Sequence, residues 1–265
     1  MQGLTIRDLR ALKGKRRITY VQVAREEEAA AAAEAGMDVI GTEFRPDTLS
    51  FPRAAKGVHF QFGLAWGKHA STIEALREAM AAMEAGAQSI YCAMSAQVIE
   101  VLAREGVPVI GHTGLVPPKM TWTGGYRAVG KSQEEAMNVW RNVRDFEAAG
   151  AFAVEMEVVP AQLATEITAR TSLVTISLGS GQGCDAEYMF STDLLGENRG
   201  RVPRHAKTYR NFASMRDEMQ RERVTAYREY IADIGSGAFP EPRHLVNIEE
   251  DVLADVVAKM DARVD

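Results

Sequence analysis

The stretch "AEAGMDVIGT", residues 33–42, decides how this chain folds, because it recurs with variations three more times. The other copies are "MEAGAQSIYC" (83–92), "AREGVPVIGH" (103–112) and "EAAGAFAVEM" (147–156). In each, an Ala/Glu-rich helical stretch stops at a glycine and an apolar run follows within one to three residues. Glycine takes the left-handed conformation that ends a helix without a Cβ penalty, so each copy is a helix C-cap feeding a strand. The apolar runs are continuous rather than alternating, as in parallel strands covered on both faces. Helix then strand, repeated, is an α/β pattern.

Working outward, strands are expected at 18–24, 38–44, 58–66, 88–94, 107–112, 151–159, 173–178 and 188–192. Eight strands in under 200 residues point to a (β/α)8 TIM-type barrel. The competing doubly wound open sheet lacks a GxGxxG after its first strand. Ser132, with Glu135 three residues on, predicts a capping box opening a helix over 133–149. Beyond "ENRGRVPRHAKTYRNF" the pattern becomes helical, at 208–234 and 247–263. The expected division is a barrel core over 1–196 and a C-terminal helical extension over 197–265 packed on the same domain.

Composition narrows the function classes. The 265 residues are 46% hydrophobic with a net charge of −5, which gives no electrostatic footprint for nucleic acid. No apolar run approaches the roughly 18 residues of a membrane span. The basic start, "MQGLTIRDLRALKGKRRI", has no apolar core of a secretory signal. Cys92 and Cys184 stand far apart without metal-ligand spacing, as expected of reduced thiols in a cytoplasmic protein.

Chemistry is expected on "GAFAVEMEVVP" (150–160). Glu155 and Glu157, two apart, share one face of a strand whose neighbours are apolar. A buried pair satisfied by Arg or Lys is one explanation. The other is a position at the barrel's C-terminal mouth, where active sites of this fold sit. There, burial beside a second carboxylate raises one pKa into a range useful for proton transfer. His112 is expected just past the end of the preceding strand, at the same mouth. The loop 115–131 is long enough to be a lid; its Arg127 and Lys131 suggest an anion clamp. "SLGSGQGCD" (177–185), with Ser180, offers backbone N–H groups to an anion.

Several motifs in matching order resemble ketopantoate hydroxymethyltransferase, a family of the phosphoenolpyruvate mutase/isocitrate lyase superfamily. They are "LTIRDLRALKGK" (4–15), "PVIGHTGLVPP" (108–118), "GGYRAVGKSQEEA" (124–136), "EAAGAFAVEMEVVPAQLATEIT" (147–168), "GSGQGCD" with "DLLG" (179–196) and "IGSGAFPEPRH" (234–244). The resemblance implies a modified barrel in which magnesium chelates a 2-oxo acid, 3-methyl-2-oxobutanoate. Its enolate takes a hydroxymethyl unit from 5,10-methylenetetrahydrofolate. It implies Glu157 as the catalytic glutamate, matching the family's "LECVP" stretch, and His112 as a residue of the substrate site, matching "GHIGLTPQ". It further implies pantothenate biosynthesis and a homo-oligomer built through the C-terminal helices.

The family's metal box departs. Thr42 stands where "GDSLG" has its aspartate, with Glu43 next to it. Gly63 stands at the aspartate of "ADMPF", and Tyr91 and Ala93 replace the lysine and the acid of "VKLEGG". About a dozen residues between the second and third strands are missing as well. Two expectations follow. In one, a divalent ion has moved to Glu43 and Glu155 with Glu157, helped by His69 or His112. In the other, the metal is gone and the glutamates with His112 do metal-free acid–base work on a different acid substrate. Substrate contacts are expected from Glu155, Thr42, Glu43, Tyr91, Arg127 and Ser180. A non-catalytic barrel binding a small acid is the remaining class, with neither nucleic acid nor membrane as partner.

Overall fold

The computed structural model describes residues 3–200 and 202–262. They fall into two compact units, Met1–Asn211 and Phe212–Asp265.

The first unit is a closed barrel of eight parallel strands in sequential order. The strands are β1 (Ile18–Gln22), β2 (Val39–Glu43), β3 (His59–Gly63), β4 (Ser89–Tyr91), β5 (Val109–Gly114), β6 (Ala153–Glu157), β7 (Val174–Leu178) and β8 (Ala186–Phe190). The barrel expected from the recurring phrase is therefore present, with strands shorter than the apolar runs. Helices α1 (Ile6–Leu12), α2 (Glu26–Glu34), α3 (Phe51–Ala54), α4 (Thr72–Glu84), α5 (Ala96–Arg104), α6 (Met120–Thr123), α7 (Gln133–Ala148), α8 (Ala161–Thr168) and α9 (Ser191–Leu194) accompany them. Each glycine of the recurring phrase has positive φ: Gly36, Gly86, Gly106 and Gly150.

Three features differ from the sequence expectation. First, β5 runs to Gly114, so His112 lies inside the strand rather than past its end; the ladder continues because Leu115 N–H donates to the Glu157 carbonyl at 2.8 Å. Second, only half of the capping box forms. Ser132 Oγ accepts from Glu135 N–H at 3.2 Å, but the Glu135 carboxylate instead accepts from Gly130 and Lys131 N–H and from Arg127. Third, β7 and β8 are joined without a helix. Two of the three glycines of that connection lie flat on α8: a Cβ at Gly181 would meet Ala161 at 2.7 Å, and one at Gly183 would meet Thr165 Oγ1 at 1.9 Å.

Alternation along the strands divides the side chains into two layers. Outward residues such as Val154, Met156, Phe60, Phe62 and Ile90 pack beneath the helices. Inward residues form a column. At the N-terminal end Leu9 of α1, Ile18, Val39, Ile110, Phe152, Ala153 and Val174 make an apolar plug. Above it the column turns polar: Tyr20, Gln61, Tyr91, His112, Glu155 and Tyr188, then Gln22, Glu43 and Glu157 at the mouth. Tyr20 O–H donates to Gln61 Oε1, and the Tyr20 and Tyr188 rings stack at 4.4 Å.

The second unit holds α10 (Phe212–Ser236) and α11 (Glu250–Asp261). Its large apolar residues are exposed, among them Met219, Tyr227, Tyr230, Ile231 and Ile234 on α10 and Val252, Leu253 and Val256 on α11. No helix of the described residues is long and apolar enough to cross a membrane.

Candidate active site

Register places the key groups. His112 pairs with Glu155 across β5 and β6, and Gly114 pairs with Glu157, so the imidazole stands beside both carboxylates. Gly114 is obligatory in this arrangement. Its φ is +89°, and a Cβ would lie 2.3 Å from the Glu157 carbonyl oxygen. Directly after the second glutamate, Val158 has φ +49°, costly for a β-branched residue. It is held from both sides: its N–H donates to the Leu178 carbonyl at 2.8 Å, and its own carbonyl accepts from Val129 N–H at 3.2 Å.

His112, Glu155 and Glu157 are all buried. His112 Nε2 is 3.3 Å from Glu157 Oε2 and 4.0 Å from Glu155 Oε1. The same nitrogen lies 2.9 Å from the Leu115 carbonyl oxygen, and Nδ1 meets the Tyr91 hydroxyl. A carbonyl only accepts, so Nε2 carries a hydrogen. Burial pulls the His112 pKa down, but the charges of Glu155 and Glu157 outweigh it and the net shift is upward. Burial pushes Glu155 up to about 7, with His112 opposing and Glu157 reinforcing the rise. Burial raises Tyr91 well above the usual phenol range, with Glu155 and Glu157 adding to it.

The cluster forms one wall of a cavity of about 350 Å³ at the C-terminal mouth, lined also by Thr42, Glu43, Gln61, Gly63, Tyr91, Ala93 and Trp66. Carboxylates dominate its charge, and among the described residues no lysine or arginine lines it. A second cavity of about 490 Å³ adjoins it, sharing Glu157, Leu178 and Phe190. That one is basic, with Arg127, Lys131, Arg204 and His205 beside Tyr126.

The other sequence candidates divide. Tyr91, Thr42 and Glu43 line the central cavity. Glu43 is paired with Lys68 at 3.2 Å and Arg45 at 3.7 Å, outside the cluster of possible ligands. His69 is paired with Glu78 at 2.7 Å, likewise outside it. Arg127 belongs to the second cavity and donates to Glu135. Ser180 is not available to a ligand: its hydroxyl donates to the Met156 carbonyl at 2.7 Å and accepts from Val159 N–H at 2.9 Å. Gly181 and Gly183 of its loop pack on α8. Sequence reasoning missed Tyr20, Gln22, Gln61 and Tyr188. Polar residues every second position in "ITYVQ" and "HFQFG" were the available signal.

Residues 42–242 match the family model of ketopantoate hydroxymethyltransferase. The chain belongs to the ketopantoate hydroxymethyltransferase family. The 3-methyl-2-oxobutanoate hydroxymethyltransferase of Staphylothermus marinus is 29% identical over 92% of this chain and 96% of its own length. Those of Halalkalibacterium halodurans and Pyrobaculum calidifontis are 32% and 36% identical over 65% and 64% of this chain. Those two matches span 61% and 63% of the relatives' lengths. Among solved structures, 2,3-dimethylmalate lyase, a PEP mutase/isocitrate lyase superfamily member, aligns with TM-score 0.53 at 13% identity over 99% of this chain and all of its own. Phosphoenolpyruvate phosphomutase from Streptomyces platensis subsp. rosaceus aligns with TM-score 0.52 at 14% identity, over 98% and 96%. These share the fold.

Against the family pattern, Thr42, Gly63 and Ala93 bring no carboxylate to the cavity they line. His112, Glu155 and Glu157 remain a group that could hold a metal ion, their ligand atoms lying within 4.8 Å of one another.

Proposed function

We propose that this chain forms a C–C bond at the carbon next to the carbonyl of a 2-oxo acid, by hydroxymethyl transfer to 3-methyl-2-oxobutanoate from 5,10-methylenetetrahydrofolate. The carrying observation is the hydrogen-bonded set Tyr91–His112–Glu157 on the wall of the mouth cavity. In this reading Glu157 takes the proton from C3 of the acid. Protonated His112 donates Nδ1–H to the Tyr91 oxygen, which frees the Tyr91 O–H to donate to the oxygen of the developing enolate. A hydrogen-bond donor aimed at that charge in a closed site contributes a few kcal/mol. Glu155 has a raised pKa; in its protonated form it adds no second negative charge beside the enolate, and the Glu157 carboxylate, 3.3 Å from Nε2, is then the charge that holds the proton on His112. The adjoining basic cavity, with Glu157 in the shared wall, suits the anionic donor; water adds to its methylene carbon to release formaldehyde and tetrahydrofolate, C3 of the enolate bonds to the formaldehyde carbon, and the new alkoxide takes the proton held on Glu157.

This chemistry proceeds without a divalent ion. The Nε2 lone pair needed for a metal is occupied by the hydrogen given to Leu115, and the family's ligand positions hold no carboxylates. The remaining pair, Glu155 and Glu157, would hold magnesium only with substrate oxygens and water completing its octahedral set. Self-association is part of the proposal, supported by the exposed apolar side chains of α10 and α11.

Solvent deuterium exchange into C3 of 3-methyl-2-oxobutanoate, followed by proton NMR, tests the reading without the donor. Exchange that persists after exhaustive chelation is the expected result. Absence of exchange with or without added magnesium rejects the enolate, and exchange only with magnesium rejects the metal-free route.

A further inference from the structure

A 2-oxo acid carries a carboxylate into a cavity whose own charged lining is Glu43, Glu155, Glu157 and His112. The imidazole is already claimed by two glutamates, and Lys68 and Arg45 by Glu43. Arg127, Lys131 and Arg204 line the other cavity. A desolvated carboxylate without a cation is costly, so a further positive group must reach this site.

Lys119 meets that need. It follows Pro117 and Pro118, which line the cavity, and its Nζ donates at 2.9 Å to the carbonyl of Ala93, another lining residue. Ala93 lines the cavity just past the end of β4, with β5 between it and the β6 glutamates in the barrel order. The ammonium is half-buried, and among the described residues no carboxylate pairs with it. The neighbouring Cys92 thiol is no counter-charge, since burial pushes its pKa up to about 11. Two of the three N–H donors of the ammonium have no assigned acceptor within the described residues. The two prolines restrict the backbone that carries the lysine.

We infer that Lys119 is the cation that receives the carboxylate of the 2-oxo acid, anchoring it at the Ala93 side of the cavity. This rests on the function proposed above. The carbonyl of the acid then faces Tyr91, and C3 faces Glu157. Lys119 thereby sets substrate orientation and selects acids over neutral ketones. Partial burial, which lowers its pKa in the free protein, is relieved when an anion arrives.

Calorimetric titration of the full chain with 3-methyl-2-oxobutanoate and with its neutral primary amide tests this. Lys119→Gln keeps a donor for the Ala93 carbonyl and removes the charge; Lys119→Met and Lys119→Arg complete the series. The expected result is at least twentyfold weaker binding of the acid to the Gln and Met variants, with amide binding within threefold of the parent chain. The Arg variant should hold the acid within tenfold. Equal weakening of acid and amide, or unchanged acid binding, overturns the role. So does a reduced covalent adduct on Lys119 after borohydride treatment with the acid, which would make the amine a nucleophile. Failure of the unsubstituted chain to bind the acid at all rejects the proposed function itself, and is visible before any variant is made.

Discussion

At the scale of single residues, the site is a proton-sharing cluster whose members have separable signatures. Glu157→Gln removes the base but keeps its volume and an acceptor near His112, so C3 exchange should fall at least a thousandfold while the melting temperature moves by only a few degrees. Exchange within threefold of the parent chain would take Glu157 out of the reaction. Glu155 reports through pH. Raised from 4.5 to about 7, it makes the folded chain the tighter proton binder between those values. Its stabilising contribution is complete below about pH 4.5 and is lost as pH rises through about 7. The thermal midpoint should therefore decline from pH 5 to pH 8, and less so in Glu155→Gln. The exchange rate should fall over the same limb, because an ionised Glu155 opposes the enolate; a rate that rises there in the parent chain would contradict this. His112→Ala leaves two buried carboxylates without their partner, a loss on the order of 3–5 kcal/mol, so His112→Gln is the better probe of mechanism.

At the scale of elements, Gly114 and the segment after it govern how well Glu157 is held. Gly114→Ala forces a Cβ onto the β6 backbone and strains a left-handed position, a cost of about 1–3 kcal/mol. It should lower exchange more than stability, read from exchange rates set beside thermal melts. Segment 115–131 carries a single 3-10 turn and the one-turn helix α6, with Trp122 almost fully exposed. Substrate should slow proteolysis there; identical cleavage with and without ligand would deny it a covering role. Elements were the most legible level of the sequence. The recurring glycine phrase marks helix ends because φ at those glycines is positive, and two-residue spacing puts Glu155 and Glu157 on one face. His112 was mislocated by two residues of strand length, since an apolar run shows where a strand is hydrophobic and not where its ladder stops. A substrate contact is expected of Ser180 because its glycine-rich loop suggests free backbone N–H groups; here Gly181 and Gly183 allow close contact with α8, and the Ser180 hydroxyl bonds the β6 strand end. Lys119 and the Tyr91–His112 bond depend on register between strands distant in sequence, which no local pattern records.

At the scale of the whole molecule, the exposed apolar side chains of α10 predict assembly. Light scattering should give a mass of at least two chains, and the double variant Tyr227→Asp, Ile231→Asp should reduce it toward 29.0 kDa. A monomeric mass for the unsubstituted chain would refute this. The barrel's vertical polarity carries a consequence of its own. The apolar plug around Leu9, Ile18 and Phe152 closes the lower end, so hydrons exchange with the cluster from the mouth side, through the substrate cavity and the adjoining one that shares Glu157. A hydron lifted from bound acid therefore has Glu157, His112, Glu155 and Tyr91 as nearby hosts, and both routes out are narrowed when substrate and donor are bound. Internal return should follow: label taken from C3 comes back to the same molecule before washing out, and isotope appearing in the medium undercounts the true cleavage events.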